Sequence, residues 1–380
     1  MTRPAATGPA PAVGRTPDEV PLRVVHVLDS WASGGAQAVA VQLGTWLAEH
    51  GVEVHLTGTD GPLAAEARRR APGRLHVHVA RTSGFVRGVL ALDRLCGQVR
   101  PDVLHAHQRR EALQCLLVGA RRGVPVVEHA HTWLPRARLR ALSFRSARVF
   151  AVSEHVGVMI DERFGRRDGV RVVGNAPART SDRPVVPLRA ATSRPLRLIG
   201  LGRLVEQKDP LRFVRLVAAV ARRTEVEAVW HGTGPLLDDA RALAAELGAP
   251  VDFAGHTDDV PGRLDDADAL VMTSGWEGLP LVVLEAFARH RPVVATAACG
   301  APGALGDGRA VVLPDDADDE TAARLLLAAL GDGDRTAAQV AAAHEWLRRC
   351  AAPEAVFRPV LDAYHGLRRP PARGGDDDDR

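Results

Sequence analysis

The chain of 380 residues is nearly devoid of lysine and asparagine and is poor in aromatic side chains. Lys208 is the only lysine among 49 basic residues, and Asn175 is the only asparagine. Because arginine supplies charge everywhere else, the single lysine either survives by chance or is needed for its compact ammonium group. Aromatic residues make up 4% of the chain, which is too few to stack the bases of single-stranded nucleic acid. We therefore expect no nucleic-acid partner.

Cysteine pairs and long apolar runs are also missing. The four cysteines form no CxxC pair, which argues against a zinc site or a disulfide framework and favours a reducing cytoplasm. No run of 18 apolar residues is present, so no membrane-spanning helix is expected. The first twenty residues lack the apolar segment of a signal peptide and are interpreted as a disordered lead. These features predict a cytoplasmic protein.

Charge is distributed unevenly along the chain. Residues 1–190 contain 27 basic and 16 acidic side chains, a balance of +11, and the remainder carries −8, which together give the net +3. The two halves are expected to meet different partners. The basic segment 131–150 is interpreted as a helix, which either rests peripherally on an anionic inner membrane face or is simply a solvated basic surface.

The length and the hydrophobic pattern predict two domains. Short β-branched runs alternate with segments of helical period, which is typical of βαβ units. We predict an α/β protein with two doubly wound, Rossmann-like domains that face each other across a cleft. The expected boundaries are a lead over 1–20, a first domain over 21–178, a linker over 179–195, a second domain over 196–350, a C-terminal helix over 351–368 that packs back on the first domain, and a disordered acidic tail over 369–380.

The strongest motif is SGWEGLPLVVLEAFARHRPVVAT, residues 274–296, which predicts a strand, a glycine turn and a helix. Backbone amides of Gly278 and Leu279 would point into the crevice and form an anion site suited to a diphosphate. Glu277 precedes the helix and Glu285 lies within it, so one carboxylate could face a sugar while the other accepts hydrogen bonds from ribose hydroxyls. Taken singly, each glutamate is equally well explained as an ordinary helix residue.

Two further turns in the second half follow predicted strands. GLGRLVEQKDP, residues 200–210, places Arg203 and Lys208 at the same crevice, where two cations could hold a diphosphate and stabilise a leaving group without a metal. The alternative is a pair of solvated cations. In HGTGP, Gly232 and Gly234 either let a ligand approach closely or only serve the turn.

The first half offers a glycine turn and two histidine-bearing strand ends. Gly34 and Gly35 follow the first strand but lack the full GxGxxG and P-loop patterns, so neither a redox cofactor nor ATP is expected. His107 and His129 could bond sugar hydroxyls or handle protons. His105 and His107 have a spacing that suits a metal, but no third ligand is evident and no metal site is assigned.

These residues resemble family 4 glycosyltransferases with the two-domain GT-B architecture, over roughly residues 22 to 350. The most specific match is the E-x7-E motif, formed by Glu277 and Glu285 in EGLPLVVLE. The chain departs from the family at GNAPA, residues 174–178, and at Ala36-Gln37 after the glycine turn.

The resemblance implies a role for each matched position. Arg203 and Lys208 would bind the donor diphosphate, and Glu277 would contact the donor sugar. Glu285 would hold the ribose, and the backbone near His256 would meet the base. The remaining matched positions are Gly278, Leu279, Gly232 and Gly234 on the nucleotide-sugar side and Gly34, Gly35 and His107 on the side of the sugar or acceptor. His129 is assigned to the acceptor side from its position at a strand end.

The implied reaction is transfer of a hexose from a UDP- or GDP-sugar to a hydroxyl of a glycan or lipid-linked glycan, with retention of anomeric configuration and without a metal or other cofactor. The nucleotide sugar is the co-substrate. The leaving phosphate would help to deprotonate the acceptor. The alternatives are a nucleotide-sugar epimerase or a phosphorylase on the same fold, and a catalytically silent sugar-binding protein.

Overall fold

The computed structural model describes residues 21–368 apart from 71–72, 81–83, 137–139, 167, 191, 193 and 300–302. The predicted lead and acidic tail lie outside the described residues. Two parallel sheets, each flanked by helices, confirm the predicted fold of two doubly wound α/β domains.

The first domain is built on a seven-stranded parallel sheet in the order β3-β2-β1-β4-β5-β6-β7. Its strands are β1 (Arg23–Ser30), β2 (Glu53–Thr59), β3 (Leu75–Ala80), β4 (Val103–Ala106), β5 (Val126–Ala130), β6 (Arg148–Ala151) and β7 (Val170–Val172). Its helices are α1 (Gly35–Glu49), α2 (Leu63–Arg70), α3 (Phe85–Val99), α4 (Arg109–Arg122) and α5 (Glu154–Phe164).

The second domain has a six-stranded parallel sheet in the order β10-β9-β8-β11-β12-β13. Its strands are β8 (Leu196–Leu201), β9 (Val226–His231), β10 (Val251–Gly255), β11 (Ala269–Met272), β12 (Val293–Thr296) and β13 (Val311–Leu313). Its helices are α6 (Pro210–Ala221), α7 (Leu237–Leu247), α8 (Val260–Asp265), α9 (Leu281–Ala288), α10 (Asp319–Leu330) and α11 (Gly333–Cys350), and α12 (Pro353–Leu367) follows.

The strand order reverses once in each sheet, between β1 and β4 and between β8 and β11. Helices leave the sheet on opposite faces at such a switch point, so a crevice opens beyond the carboxyl ends of the two strands. The central strands β4, β5, β11 and β12 are buried along their whole length, as expected of parallel strands covered on both faces.

Helix α12 packs on the first domain although it follows the second domain in the chain. Its apolar face enters the same core cluster as β1, α1 and β2. Phe357 lies 5.9 Å from Trp46 between ring centroids, and Tyr364 is fully buried beside β1 and β4. The two domains are therefore joined by two chain crossings, the linker and the segment before α12.

Two buried arginines hold the linker against the second domain. Arg289 and Arg291, only 4% and 2% exposed, both lie within ion-pair distance of Asp265. Their guanidinium groups donate to main-chain carbonyls of the linker at Arg183 and Val186. The described part of this proline-containing linker lies outside the helices and strands, and the two arginines supply donors to its main-chain carbonyls.

The interpretation of residues 131–150 as a helix was wrong. The described part of this segment contains only a short 3₁₀ turn at Arg140–Leu142 before β6 begins. Arg109 donates to the Ser143 hydroxyl, and the Ser146 hydroxyl donates to the buried Glu128, so side-chain bonds to α4 and β5 fix the segment. Among the described helices, none has both the length and the apolar character needed to cross a membrane.

Candidate active site

The switch point of the second domain brings together the loops that follow β8 and β11. The Thr273 hydroxyl donates to the carbonyls of Lys208 and Asp209, at 3.2 and 2.8 Å. The amide of Gly275 donates to the Gln207 carbonyl at 2.9 Å. These bonds make the two loops one unit, with Asp209 capping the start of α6.

Lys208 and Glu277 form an ion pair at the centre of this unit. Nζ of Lys208 lies 2.5 Å from Oε1 of Glu277, and the two side chains are only 19% and 8% exposed. The other carboxylate oxygen accepts a hydrogen bond from Gln207 Nε2 at 3.3 Å. The lysine stem runs over Gly202, where a Cβ would come within 3.3 Å of Lys208 Cε. Solvent screens such a sheltered pair less than it screens a pair on the surface.

The glycines of HGTGP are required by close backbone packing. A Cβ at Gly232 would lie 1.9 Å from the Gly202 carbonyl oxygen, and one at Gly234 would lie 2.3 Å from that of Leu204. The turn therefore supports the loop that carries Arg203, whose side chain is exposed. The structure shows this supporting role, and a direct contact of the two glycines with nucleotide stays a prediction.

His256 follows the end of β10, next to the same turn. The amide of Gly232 donates to the carbonyl of Gly255 at 2.8 Å. The His256 ring is half exposed and lies 3.1 Å from Asp258. The backbone around His256 thus lies at the same sheet edge as Arg203 and the lysine loop, as a base-contacting segment requires.

Glu285 is fully buried in α9. Its Oε1 accepts the backbone amide of Arg179 at 3.1 Å, while Oε2 has no hydrogen-bond partner among the described residues. Burial raises the pKa of this carboxyl to about 7, against the opposing effect of Arg179. A buried acceptor without a donor is costly, so this oxygen is suited to accept a hydroxyl of a ligand.

The turn Gly278–Leu279 lies against the first domain. A Cβ at Gly278 would lie 2.2 Å from the carbonyl oxygen of His131. Asn175 Nδ2, in the corner before the linker, donates to the Leu279 carbonyl at 2.9 Å. The motif therefore fixes how closely the domains approach, and the expectation that its amides bind a diphosphate stays a prediction.

In the first domain, the Gly34–Gly35 turn lies across the cleft from α9. Gly35 would place a Cβ 3.9 Å from Leu281 Cδ1. Asp29 at the end of β1 accepts a hydrogen bond from Gln37 Nε2 at 2.8 Å. The residue that departs from the family pattern, Gln37, thus holds the end of β1, a role that sequence reasoning missed.

The structure shows where the two histidines predicted at the cleft lie. His107 and His129 are 2% and 3% exposed and lie inside the first domain rather than on the cleft. Strand register is the reason: His105 pairs with Val127, so His129 lies beside His107 and His131 projects one pleat further. His131 is half-buried at the strand end that contacts Gly278. In the sequence, the repeated HAH triplets at 105–107 and 129–131 indicate that histidines of the two strand ends lie side by side.

Comparison with known families matches both halves of the chain. Residues 33–177 match the family described as Glycosyltransferase Family 4, and residues 195–332 match the family described as Glycosyl transferases group 1. The matches meet at the linker between the two domains.

Individual proteins are similar over different shares of the chain. The lipopolysaccharide core biosynthesis glycosyltransferase LpsE of Rhizobium meliloti is 34% identical over 44% of this chain, and the matched region spans only 48% of LpsE. D-inositol 3-phosphate glycosyltransferase 2 of Catenulispora acidiphila is 29% identical over 90% of this chain and 94% of its own length. HepE of Anabaena, solved in complex with UDP and glucose, superimposes with a TM-score of 0.76 at 16% identity, covering 91% of this chain and 100% of HepE.

Substitution of Gly278 tests whether this turn sets the approach of the domains. Gly278→Ala should lower the thermal stability of the protein, because its Cβ would overlap the His131 carbonyl and force a backbone shift that costs about 1–3 kcal/mol. The matched control is Gly275→Ala in the same loop, where a Cβ meets nothing within 4 Å. Equal melting temperatures for the two variants, measured by scanning calorimetry, would contradict the assignment.

Proposed function

Because the chain belongs to the family 4 glycosyltransferases, we propose that it transfers a hexose from a UDP- or GDP-sugar to a hydroxyl of a glycan or lipid-linked glycan, with retention of configuration. The observation that carries the proposal is the sheltered Lys208–Glu277 pair at the switch point of the second domain. The family and the fold support glycosyl transfer as the class of reaction. The ion pair supports the position of the active site in the second domain.

In this proposal the donor diphosphate is held by Lys208 and the exposed Arg203. When the diphosphate binds, it replaces Glu277 as the partner of the Lys208 ammonium group. The Glu277 carboxylate can then accept hydrogen bonds from hydroxyls of the donor sugar. The two cations then stabilise the charge that develops on the leaving nucleoside diphosphate. No resident metal or cofactor is needed for this step.

The nucleoside end of the donor lies deeper, toward Glu285. The partnerless Oε2 of Glu285 accepts a ribose hydroxyl, and the backbone near His256 contacts the base. HepE, whose solved complex contains UDP and glucose, supports a UDP-sugar as one candidate donor. The choice between UDP and GDP is made by the base-contacting segment, so both nucleotide classes belong in the first assay.

The acceptor enters between the Gly34–Gly35 turn and the end of β5. His131 lies at that edge beside the glycine turn of the motif, and its ring is held by a 3.0 Å hydrogen bond to His107. We assign His131 to positioning the donor sugar or the acceptor hydroxyl. Deprotonation of the acceptor falls to the leaving phosphate, which is the nearest strong base in a retaining front-face displacement.

For a lipid-linked acceptor, the enzyme would act from the cytoplasm as a peripheral protein on the inner membrane face. Exposed apolar residues on α3, namely Phe85, Val86 and Leu90, lie among arginines on the basic first domain. Such a surface binds anionic lipid through charge and a shallow apolar contact. Sedimentation with anionic liposomes should show binding that strengthens as salt is lowered. An absence of binding at low salt would contradict the membrane proposal and indicate that this basic surface is only solvated.

The alternatives are separated by the requirement for an acceptor. An epimerase converts a nucleotide sugar without an acceptor, and a phosphorylase requires inorganic phosphate. A silent binding protein would bind nucleotide sugars without turnover. The Lys208–Glu277 pair and the partnerless Glu285 oxygen do not favour any of these over transfer.

Substitutions at the ion pair test the assignment of the site. Lys208→Ala and Glu277→Gln should each lower kcat/KM for transfer by about 10²–10³, because each removes a group that faces developing charge or the donor sugar. Lys208→Arg should not restore activity, since the stem runs tightly over Gly202. Arg241→Ala, an exposed cation on α7, is the control and should leave kcat/KM unchanged. Turnover of Lys208→Ala within threefold of the parent protein would refute the role.

The buried carboxyl of Glu285 predicts a pH-dependent donor affinity. Its pKa is raised to about 7 by burial, so folding favours the protonated form and the free protein loses stability as pH rises from about 4.5 through 7. Accepting a hydrogen bond from a ribose hydroxyl favours the ionised form. The Kd of a nucleotide sugar should therefore be about tenfold weaker at pH 6 than at pH 8.

Calorimetric titration with an intact nucleotide sugar measures this, because its diphosphate does not titrate in that range. Glu285→Gln is the matched control and should flatten the pH dependence. A parent protein with equal Kd values at both pH values would contradict the proposal.

A further inference from the structure

Five histidines form a column inside the first domain. His26, His105 and His107 are 0–2% exposed, and the column is continued by His129 on β5 and by His131 directly after it. His26 and His105 pair in register on β1 and β4, so their rings lie on the same face of the sheet. The rings of His105 and His107 stack at 4.5 Å between centroids. Such a group of imidazoles is unusual in a protein core, where polar atoms need partners.

His26 on β1, His105 on β4 and His107, directly after β4, bring ring nitrogens close together. One ligand atom from each of His26, His105 and His107 lies within 4.8 Å of the other two. Nδ1 of His26 and Nε2 of His107 are 3.0 Å apart. Nε2 of His105 is buried and has no hydrogen-bond partner among the described residues.

The opposite nitrogen of each ring has an acceptor within reach. Nδ1 of His105 contacts the Tyr364 hydroxyl, and Nε2 of His26 lies 3.4 Å from the same oxygen. Nδ1 of His107 lies 3.0 Å from Nε2 of His131. Metal-binding histidines are oriented in this way, with the outer N–H donated to a neighbour so that the inner lone pair points at the ion.

We propose that His26, His105 and His107 bind a transition-metal ion of the Zn²⁺ class, with a water-sized fourth ligand. Three neutral imidazoles suit such an ion, and zinc–nitrogen bonds of about 2.0–2.1 Å fit the 3.0 Å separation of His26 Nδ1 and His107 Nε2. Binding replaces the hydrogen bond between His26 and His107 by two metal bonds. The ring that donated this bond moves its proton from the inner nitrogen to its own outer nitrogen, which faces Tyr364 in His26 and His131 in His107. Nε2 of His105, which has no hydrogen-bond partner among the described residues, binds the ion in the same step.

The ion would fasten the C-terminal helix to the sheet. Tyr364 belongs to α12, while its two ring partners belong to β1 and β4, so the metal and its outer contacts connect elements far apart in sequence. A site of this kind stabilises the fold because the unfolded chain does not hold its ligands together. The inference does not rest on the glycosyl-transfer proposal, whose charged groups lie in the second domain, although the metal ligand His107 also contacts His131.

Two other clusters of the described residues must be controlled for. The first, His107, His129 and His131, shares His107 with the proposed site, and His105→Ala separates the two because it removes a ligand of the proposed site alone. Glu53, His55 and His76 also place ligand atoms within 4.8 Å of one another, but His76 is exposed and Glu53 already pairs with Arg23. Added zinc could bind there without any structural role. The test therefore uses His76→Ala as the control variant and a chain without a histidine tag.

The tag-free protein is unfolded in guanidinium with a chelator, refolded with and without Zn²⁺ or Co²⁺, and desalted. We expect about one ion per chain by mass spectrometry, a visible Co²⁺ absorption band, and a higher melting temperature with metal. The same results are expected for His76→Ala. His105→Ala should retain no ion.

Tyr364→Phe keeps the apolar packing but removes the outer acceptor of two ligands. This variant should bind the metal about 10–100-fold more weakly in competition with a chelator. It tests the site even if His105→Ala does not fold. Absence of stoichiometric metal and an unchanged melting temperature in the parent protein would overturn the proposal. Retention of the ion by His105→Ala, or its loss from His76→Ala, would overturn it as well.

Discussion

The ion pair between Lys208 and Glu277 depends on how closely three loops approach at the switch point of the second sheet. Gly232 and Gly234 let one loop lie directly on the backbone of another, and Gly202 leaves room for the lysine stem. The Thr273 hydroxyl then fixes the loop after β11 to the loop after β8. Without this approach the lysine and the glutamate would be separate solvated charges, and the crevice would have no charged centre.

The same motif that carries Glu277 also determines the contact between the domains. Its turn lies against His131 and is held by Asn175, while Glu285 accepts an amide from the beginning of the linker. The lone lysine and the lone asparagine of the chain thus both act at the donor motif. Both residues occur where the geometry of their side chains matters. The Lys208 stem lies over Gly202, and the Asn175 amide connects the two domains.

The second domain could be predicted well from the sequence because its site is built from local strand-turn-helix segments. Parallel strands place their carboxyl ends at one edge, so the fold class predicts that the loops carrying Lys208 and Glu277 lie at the same crevice. The first domain could not be predicted as well. Which histidine reaches the cleft depends on the register between β4 and β5, and His26 joins His105 only through pairing of strands far apart in sequence. Segment 131–150 misled because its basic pattern resembles a helix, while side-chain bonds to α4 and β5 decide its conformation.

The central claim is that the Lys208 ammonium group binds the diphosphate of the donor. Calorimetric titration of nucleoside diphosphate and nucleoside monophosphate against the parent protein and Lys208→Ala tests it most directly. We expect the parent protein to bind the diphosphate at least about tenfold more tightly than the monophosphate, a difference in binding free energy of about 1.4 kcal/mol. Lys208→Ala should lose this preference while still binding the monophosphate. The same preference in both proteins would contradict it.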